Sequence, residues 1–144
     1  MSTAPTASTT RPRPLPFLPA GTDLLRLALG VDAVVTGANG VAYLALAGPL
    51  GDLFHLPAGG LRAAGAFLIV FALGVGALAR QAAPPRAAVR VVVLLNALWV
   101  VESLVLLAAG WGSPGTVGEV WIALQAVVVG AFAGLQALGL RRRP

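Results

Sequence analysis

Cysteine is absent from the 144 residues, and so is lysine. Without cysteine, disulfides, thiolate metal sites, iron–sulfur clusters and thiol–disulfide exchange are excluded, whatever compartment the loops face. Histidine occurs once, as His55 beside Asp52 in a connecting segment. One imidazole and one nearby acid fall short of the three or four ligands a metal centre needs, so no metal or cofactor is expected. Charge is scarce as well: 10% of residues are charged, against about 25% in an ordinary soluble domain. The ten basic residues are all arginine and outnumber five acids, giving +5. They sit at the ends of apolar runs and form no patch interleaved with aromatics, which argues against nucleic acid as a partner.

What is present is hydrocarbon. Hydrophobic residues make up 58% of the chain and the mean hydropathy is +0.87, the composition of a membrane protein whose first partner is the lipid bilayer. Four apolar runs, near 24–47, 61–79, 87–109 and 117–140, each approach the roughly 20 residues a helix needs to cross the bilayer. The pattern predicts an all-α, integral membrane four-helix bundle over 23–140. The joints "GPLGDLFHLPAGG", "RQAAPPR" and "GWGSPGT" carry the glycines and prolines that break helices. Residues 1–22, rich in Pro, Thr, Ser and Ala without helical or strand period, read as a disordered cytoplasmic tail, and 141–144 as a basic cytoplasmic end. A signal peptide is the alternative for the first run. That run is longer than the roughly 7–15 residues of a signal core and contains Asp32 and Asn39, so a retained helix is expected.

The arginines orient the bundle. Arg11 and Arg13 precede the first run, Arg80, Arg86 and Arg90 bracket the second joint, and Arg141, Arg142 and Arg143 close the chain, while the other two joints offer only Arg62. The positive-inside bias therefore predicts a multi-pass protein of the plasma membrane with both termini cytoplasmic. Trp111, Trp121 and Phe54 would then lie at the outer interface. A shift of 64 residues lays Arg26 on Arg90, Asp32 on Asn96 and Asn39 on Ser103, a faint sign of two parallel hairpin repeats.

Polar residues inside the runs are the candidate site. At 100° per residue, Asp32, Thr36, Asn39 and Tyr43 fall within a sector of about 60°. In the third run Asn96 and Ser103 share a face, with Glu102 about 120° from Asn96, and in the fourth Trp121, Gln125, Phe132 and Gln136 align. By rise per residue, Asp32 and Asn96 lie about 12 Å from the arginine-bearing end, and Asn39, Glu102, Ser103 and Gln125 about 20–23 Å from it. Two polar layers are expected, with Asp32 meeting Asn96. The second run has no polar side chain between Ala63 and Ala79 and reads as a packing helix. An ionisable group in hydrocarbon costs from about 2.5 to more than 10 kcal/mol, so Asp32 and Glu102 are expected to face the interior or a wet cavity and to be hydrogen-bonded. Asp32, Thr36, Asn39, Asn96, Glu102, Ser103 and Gln125 are then either interhelical glue or a site that binds or moves something.

Three function classes follow. A non-enzymatic accessory or interaction subunit of a membrane complex, or of a homo-oligomer, comes first. A small proton- or cation-coupled transporter using Asp32 and Glu102 is the alternative. An enzyme ranks last, because no catalytic residue is evident: the membrane runs contain neither histidine nor cysteine, and no serine or threonine stands beside a clear base.

One stretch carries a resemblance. Arg26, Gly30 and Gly37 in "RLALGVDAVVTG" resemble the first helix of the DoxX-like membrane proteins, which are small four-helix proteins. Gly40 and Val41 stand where that family often has a basic residue. The whole chain is similar more loosely to small four-span integral membrane proteins of bacteria. What the DoxX-like resemblance implies is association with a quinone-linked redox complex.

Overall fold

The computed structural model describes residues 23–143, and the tail expected over 1–22 lies outside the described residues. Those described are all-helical where regular, in five helices: α1 (Leu24–Ala45), α2 (Ala47–Phe54), α3 (Ala58–Arg80), α4 (Arg86–Ala109) and α5 (Thr116–Arg142). Four of the five, all but α2, are long and apolar enough to cross a membrane.

Local chemistry sets the boundaries. Asp23 caps α1, its Oδ1 accepting the amides of Leu25 at 3.1 Å and Arg26 at 3.5 Å. The first long helix stops at Ala45, two residues short of expectation, and α2 occupies the segment expected to be an irregular joint. Pro49 explains both outcomes. Inside a continuous α1 its ring would clash with the carbonyl of Ala45, whereas as the third residue of α2 its missing N–H is one that no intrahelical partner would satisfy. His55 ends α2 in the left-handed region at φ 54°, and Gly110 ends α4 at φ 64°. Pro57 and Pro85 stand immediately before α3 and α4. Gly59 and Gly60, read from sequence as breakers, lie in the first turn of α3, whose start is held by Leu61 N–H on the Pro57 carbonyl at 3.1 Å. The arginine end is not a separate tail as far as Arg142, which continues α5; cations there complement the negative end of the helix.

Helix α1 is the centre of the bundle. It packs most extensively on α3 and also along α5, α5 packs on α4, and α3 and α4 barely meet. The α1–α3 seam depends on glycine. A Cβ on Gly40 would lie 2.9 Å from the Gly65 carbonyl oxygen, and one on Gly65 would lie 2.9 Å from the Gly40 oxygen. Each backbone therefore occupies the space a side chain of the other would need. Because α1 packs on α5 while α3 scarcely touches α4, the two hairpins are not related by a two-fold packing operation.

Two apolar clusters fill the interior. Leu25, Leu29, Val75, Val89, Val92 and Leu140 form one at the arginine-bearing end. Tyr43, Ala47, Phe54, Leu61 and Leu68 form the other, at the end that carries α2. The first is tied by Arg26 Nε on the Ala79 carbonyl at 3.0 Å, by Arg86 Nη1 on the Arg143 carbonyl at 3.1 Å, and by an ion pair of Arg143 with Asp23. The arginines expected only to orient the chain thus also bond to the termini of neighbouring helices.

Candidate functional site

Between the two apolar clusters lies a layer of polar side chains. Asp32 is 0% exposed and accepts three hydrogen bonds: Thr36 Oγ1 donates to Oδ1 at 2.8 Å, while Asn96 Nδ2 at 2.8 Å and Gln136 Nε2 at 2.7 Å both donate to Oδ2. Asn96 Nδ2 also donates to Gln136 Oε1 at 3.1 Å. Thr36 lies one turn beyond Asp32 on the same helix, and the two amides reach in from α4 and α5. Three helices thereby share one carboxyl, and no buried side-chain N or O among the described residues lacks a partner.

The arrangement acts as a register key. Sliding any of the three helices by one turn, about 5.4 Å, would strip donors from a carboxyl that has no water to turn to. The Thr36 hydroxyl stands beside the Asp32 carboxyl, as their shared stripe on α1 implies. Asn96 Nδ2 uses both its hydrogens, on Asp32 and on Gln136, and Gln136 Nε2 uses one, on Asp32.

Nearer the α2 end, a second cluster centres on Tyr43. Its phenol oxygen accepts from Trp121 Nε1 at 2.8 Å and Gln125 Nε2 at 3.0 Å, and the Trp121 ring stacks on Phe54 at 5.8 Å between centroids. Trp121 is therefore half-buried and tied down. Trp111 is 72% exposed.

The second polar layer does not assemble as a network. Ser103 turns back to its own helix, its Oγ donating to the Trp99 carbonyl at 2.7 Å. Asn39 is half-buried at the edge of a cavity. Glu102 is exposed and has no hydrogen-bond or ion-pair partner among the described residues, contrary to the expectation that it would be hydrogen-bonded. The cause is helical phase: once Asn96 faces Asp32, a residue about 120° away on α4 must turn to the side of the bundle.

That side is open. Where α3 and α4 separate, a groove of about 640 Å³ runs between them, lined on its polar points by Glu102, Ser103, Gln125 and Tyr43 and otherwise by apolar and aromatic side chains including Phe67, Trp99 and Trp111. A second cavity of about 360 Å³ lies beside it and shares Phe67, Leu95, Trp99 and Gln125. Thr36, Asn39 and Asn96 line that second cavity, whereas Asp32 lines neither. Phe67 and Trp99 stack across the mouth between α3 and α4, 6.3 Å between centroids and 2° from parallel.

Of the seven candidates read from sequence, Asp32, Thr36 and Asn96 are bonded together, Gln125 bonds Tyr43, and Asn39, Glu102 and Ser103 face cavities without joining either cluster. Gln136 was not among the seven. Its signal was its alignment with Gln125 together with its depth, about 9 Å from the end of α5, close to that of Asp32. The opposite loops also meet: Gly115 N–H donates to the Phe54 carbonyl at 3.0 Å, with exposed His55 against Gly115. Among the described residues no cluster of His, Cys, Asp and Glu could hold a metal ion. No protein-family profile, curated protein or solved structure matches the chain.

Proposed function

We propose that this chain is a non-enzymatic membrane protein that engages a second membrane component through the groove between α3 and α4, as an accessory or interaction subunit does. The observation that carries this is Glu102. A carboxyl exposed on the side of a hydrophobic helix, without a partner among the described residues, carries a cost that a bound component would relieve. Asp32, fully hydrogen-bonded and lining neither cavity, serves in this reading as the lock that holds α1, α4 and α5 in register. The arginine distribution supports a plasma-membrane orientation with both termini cytoplasmic, which puts the end of the groove lined by Leu56, Pro57 and Trp111 toward the outer leaflet.

Native mass spectrometry of protein extracted gently from its own membrane tests the proposal. The expected spectrum carries a stoichiometric adduct that Glu102→Leu weakens. Protein that emerges bare, with the same spectrum for both chains, overturns it.

A second reading, proton- or cation-coupled transport, has one observation in its favour. The two cavities adjoin, and together they lead from Glu102 to Thr36 and Asn96, the partners of Asp32. Transport by this route would need Asp32 to exchange its donors during the cycle. Asp32→Asn should then abolish uptake into proteoliposomes while leaving the folded protein intact; unchanged uptake removes Asp32 from any such cycle.

A further inference from the structure

The groove has a chemistry of its own, and three observations narrow what would enter it. The first is size. The groove measures about 640 Å³. Pockets of about 300–1,000 Å³ are those of small molecules.

The second is charge. Glu102 is the one carboxyl on a lining that includes the faces or edges of Tyr43, Phe67, Trp99 and Trp111. A hard metal ion wants six or more oxygens, which this lining does not offer. A single carboxylate among aromatic rings suits instead a diffuse organic cation, held by the ring quadrupoles on some sides and by the carboxylate on another.

The third is a count of donors. Tyr43 is 6% exposed, and its oxygen already accepts from both Trp121 and Gln125. Its own O–H hydrogen and the second N–H of Gln125 then have no acceptor among the described residues. Reversing the Gln125 amide lets Tyr43 donate to it but leaves both amide hydrogens unspent. In either orientation at least two donor hydrogens remain on groups that line the groove, where an oxygen acceptor on the occupant would meet them.

We infer that the α3–α4 groove binds a lipophilic organic cation carrying a carbonyl or ether oxygen, with Glu102 as counter-ion, Phe67, Trp99 and Trp111 as its aromatic walls, and Tyr43 with Gln125 as hydrogen-bond donors. The inference rests on the groove being the binding face and specifies what that face binds. A phospholipid is a poorer match, because its phosphate would find no cation on this lining.

Palmitoylcholine, which has a quaternary ammonium, an ester carbonyl and one acyl chain, is a suitable probe. The control is the neutral ester in which carbon replaces the quaternary nitrogen. Full-length protein in nanodiscs of neutral lipid is titrated with each, and binding is read by tryptophan fluorescence and confirmed by native mass spectrometry. Saturable binding of one palmitoylcholine is expected, weakened about tenfold or more by Glu102→Gln, with weaker binding of the neutral ester that this substitution leaves unchanged. Trp99→Leu should also weaken the cation, and Tyr43→Phe should weaken both esters. Equal binding of the two esters to the wild-type chain overturns the inference without any variant, as does palmitoylcholine binding that Glu102→Gln leaves unchanged. If palmitoylcholine does not bind while extracted protein carries a stoichiometric adduct sensitive to Glu102→Leu, the groove remains the binding face and the cation inference falls alone.

Discussion

Replacing Asp32 by asparagine should leave the fold almost untouched, although it removes a buried acid. Two donors, Asn96 Nδ2 and Gln136 Nε2, share Oδ2, and Thr36 alone uses Oδ1. An asparagine placed with its oxygen where Oδ2 stands still accepts both amides, and its NH₂ group donates to the Thr36 hydroxyl, which can turn to accept. All three contacts survive and a desolvated acid is lost, so the change in stability should stay within about 1 kcal/mol in either direction. Alanine at the same position strips all three bonds and leaves the donors of Asn96 and Gln136 short of an acceptor in an apolar interior. At about 0.6–1.7 kcal/mol per hydrogen bond between membrane helices, loss of the two interhelical bonds in Asp32→Ala should cost about 1–3 kcal/mol. Reversible unfolding in mixed micelles, driven by increasing SDS and followed by circular dichroism, measures both. If asparagine proves as damaging as alanine, the carboxyl has a role that its hydrogen bonds do not supply. If alanine costs nothing, the three bonds do not hold the helices.

The glycine seam gives a contrast by position: Gly40→Leu and Gly65→Leu should each prevent the native α1–α3 packing, while Gly134→Ala, with nothing within 4 Å of its added carbon, should shift the same unfolding curve by less than about 0.5 kcal/mol. Tyr43→Phe leaves Trp121 Nε1 and Gln125 Nε2 without their acceptor and should cost about 1–3 kcal/mol in that assay. Orientation is open to labelling because the chain has no cysteine of its own: a cysteine at Ser113 should react on whole cells with a membrane-impermeant maleimide and one at Ala83 should not, and the opposite pattern would invert the topology.

The long helices were legible because twenty-odd apolar residues between arginines or prolines leave the backbone no way to satisfy itself in lipid other than a helix. The short α2 was not, since Gly48, Pro49 and Gly51 look like a loop until Pro49 is placed in a first turn, where its missing N–H has no cost. Helical phase brought Asp32 opposite Asn96, but phase alone gave no reason to rank Gln136 above Gln125. That choice depends on depth, which becomes definite only when the helix ends are known. Glu102 shows the limit most plainly. Its cost in hydrocarbon argued for burial, yet its angle from Asn96, already readable in the sequence, turned it out into a groove that exists only because α3 and α4 fail to close. Gaps between helices follow from packing, and no single helix encodes them.

The central claim is that the α3–α4 face is occupied in the membrane. Photo-crosslinking tests it most directly: benzoylphenylalanine placed at Leu98, which lines the groove, is compared with the same residue at Val127, exposed elsewhere on the bundle. The account predicts a discrete adduct, other than bulk lipid, from Leu98 and none from Val127. The same lipid adducts from both positions would contradict it.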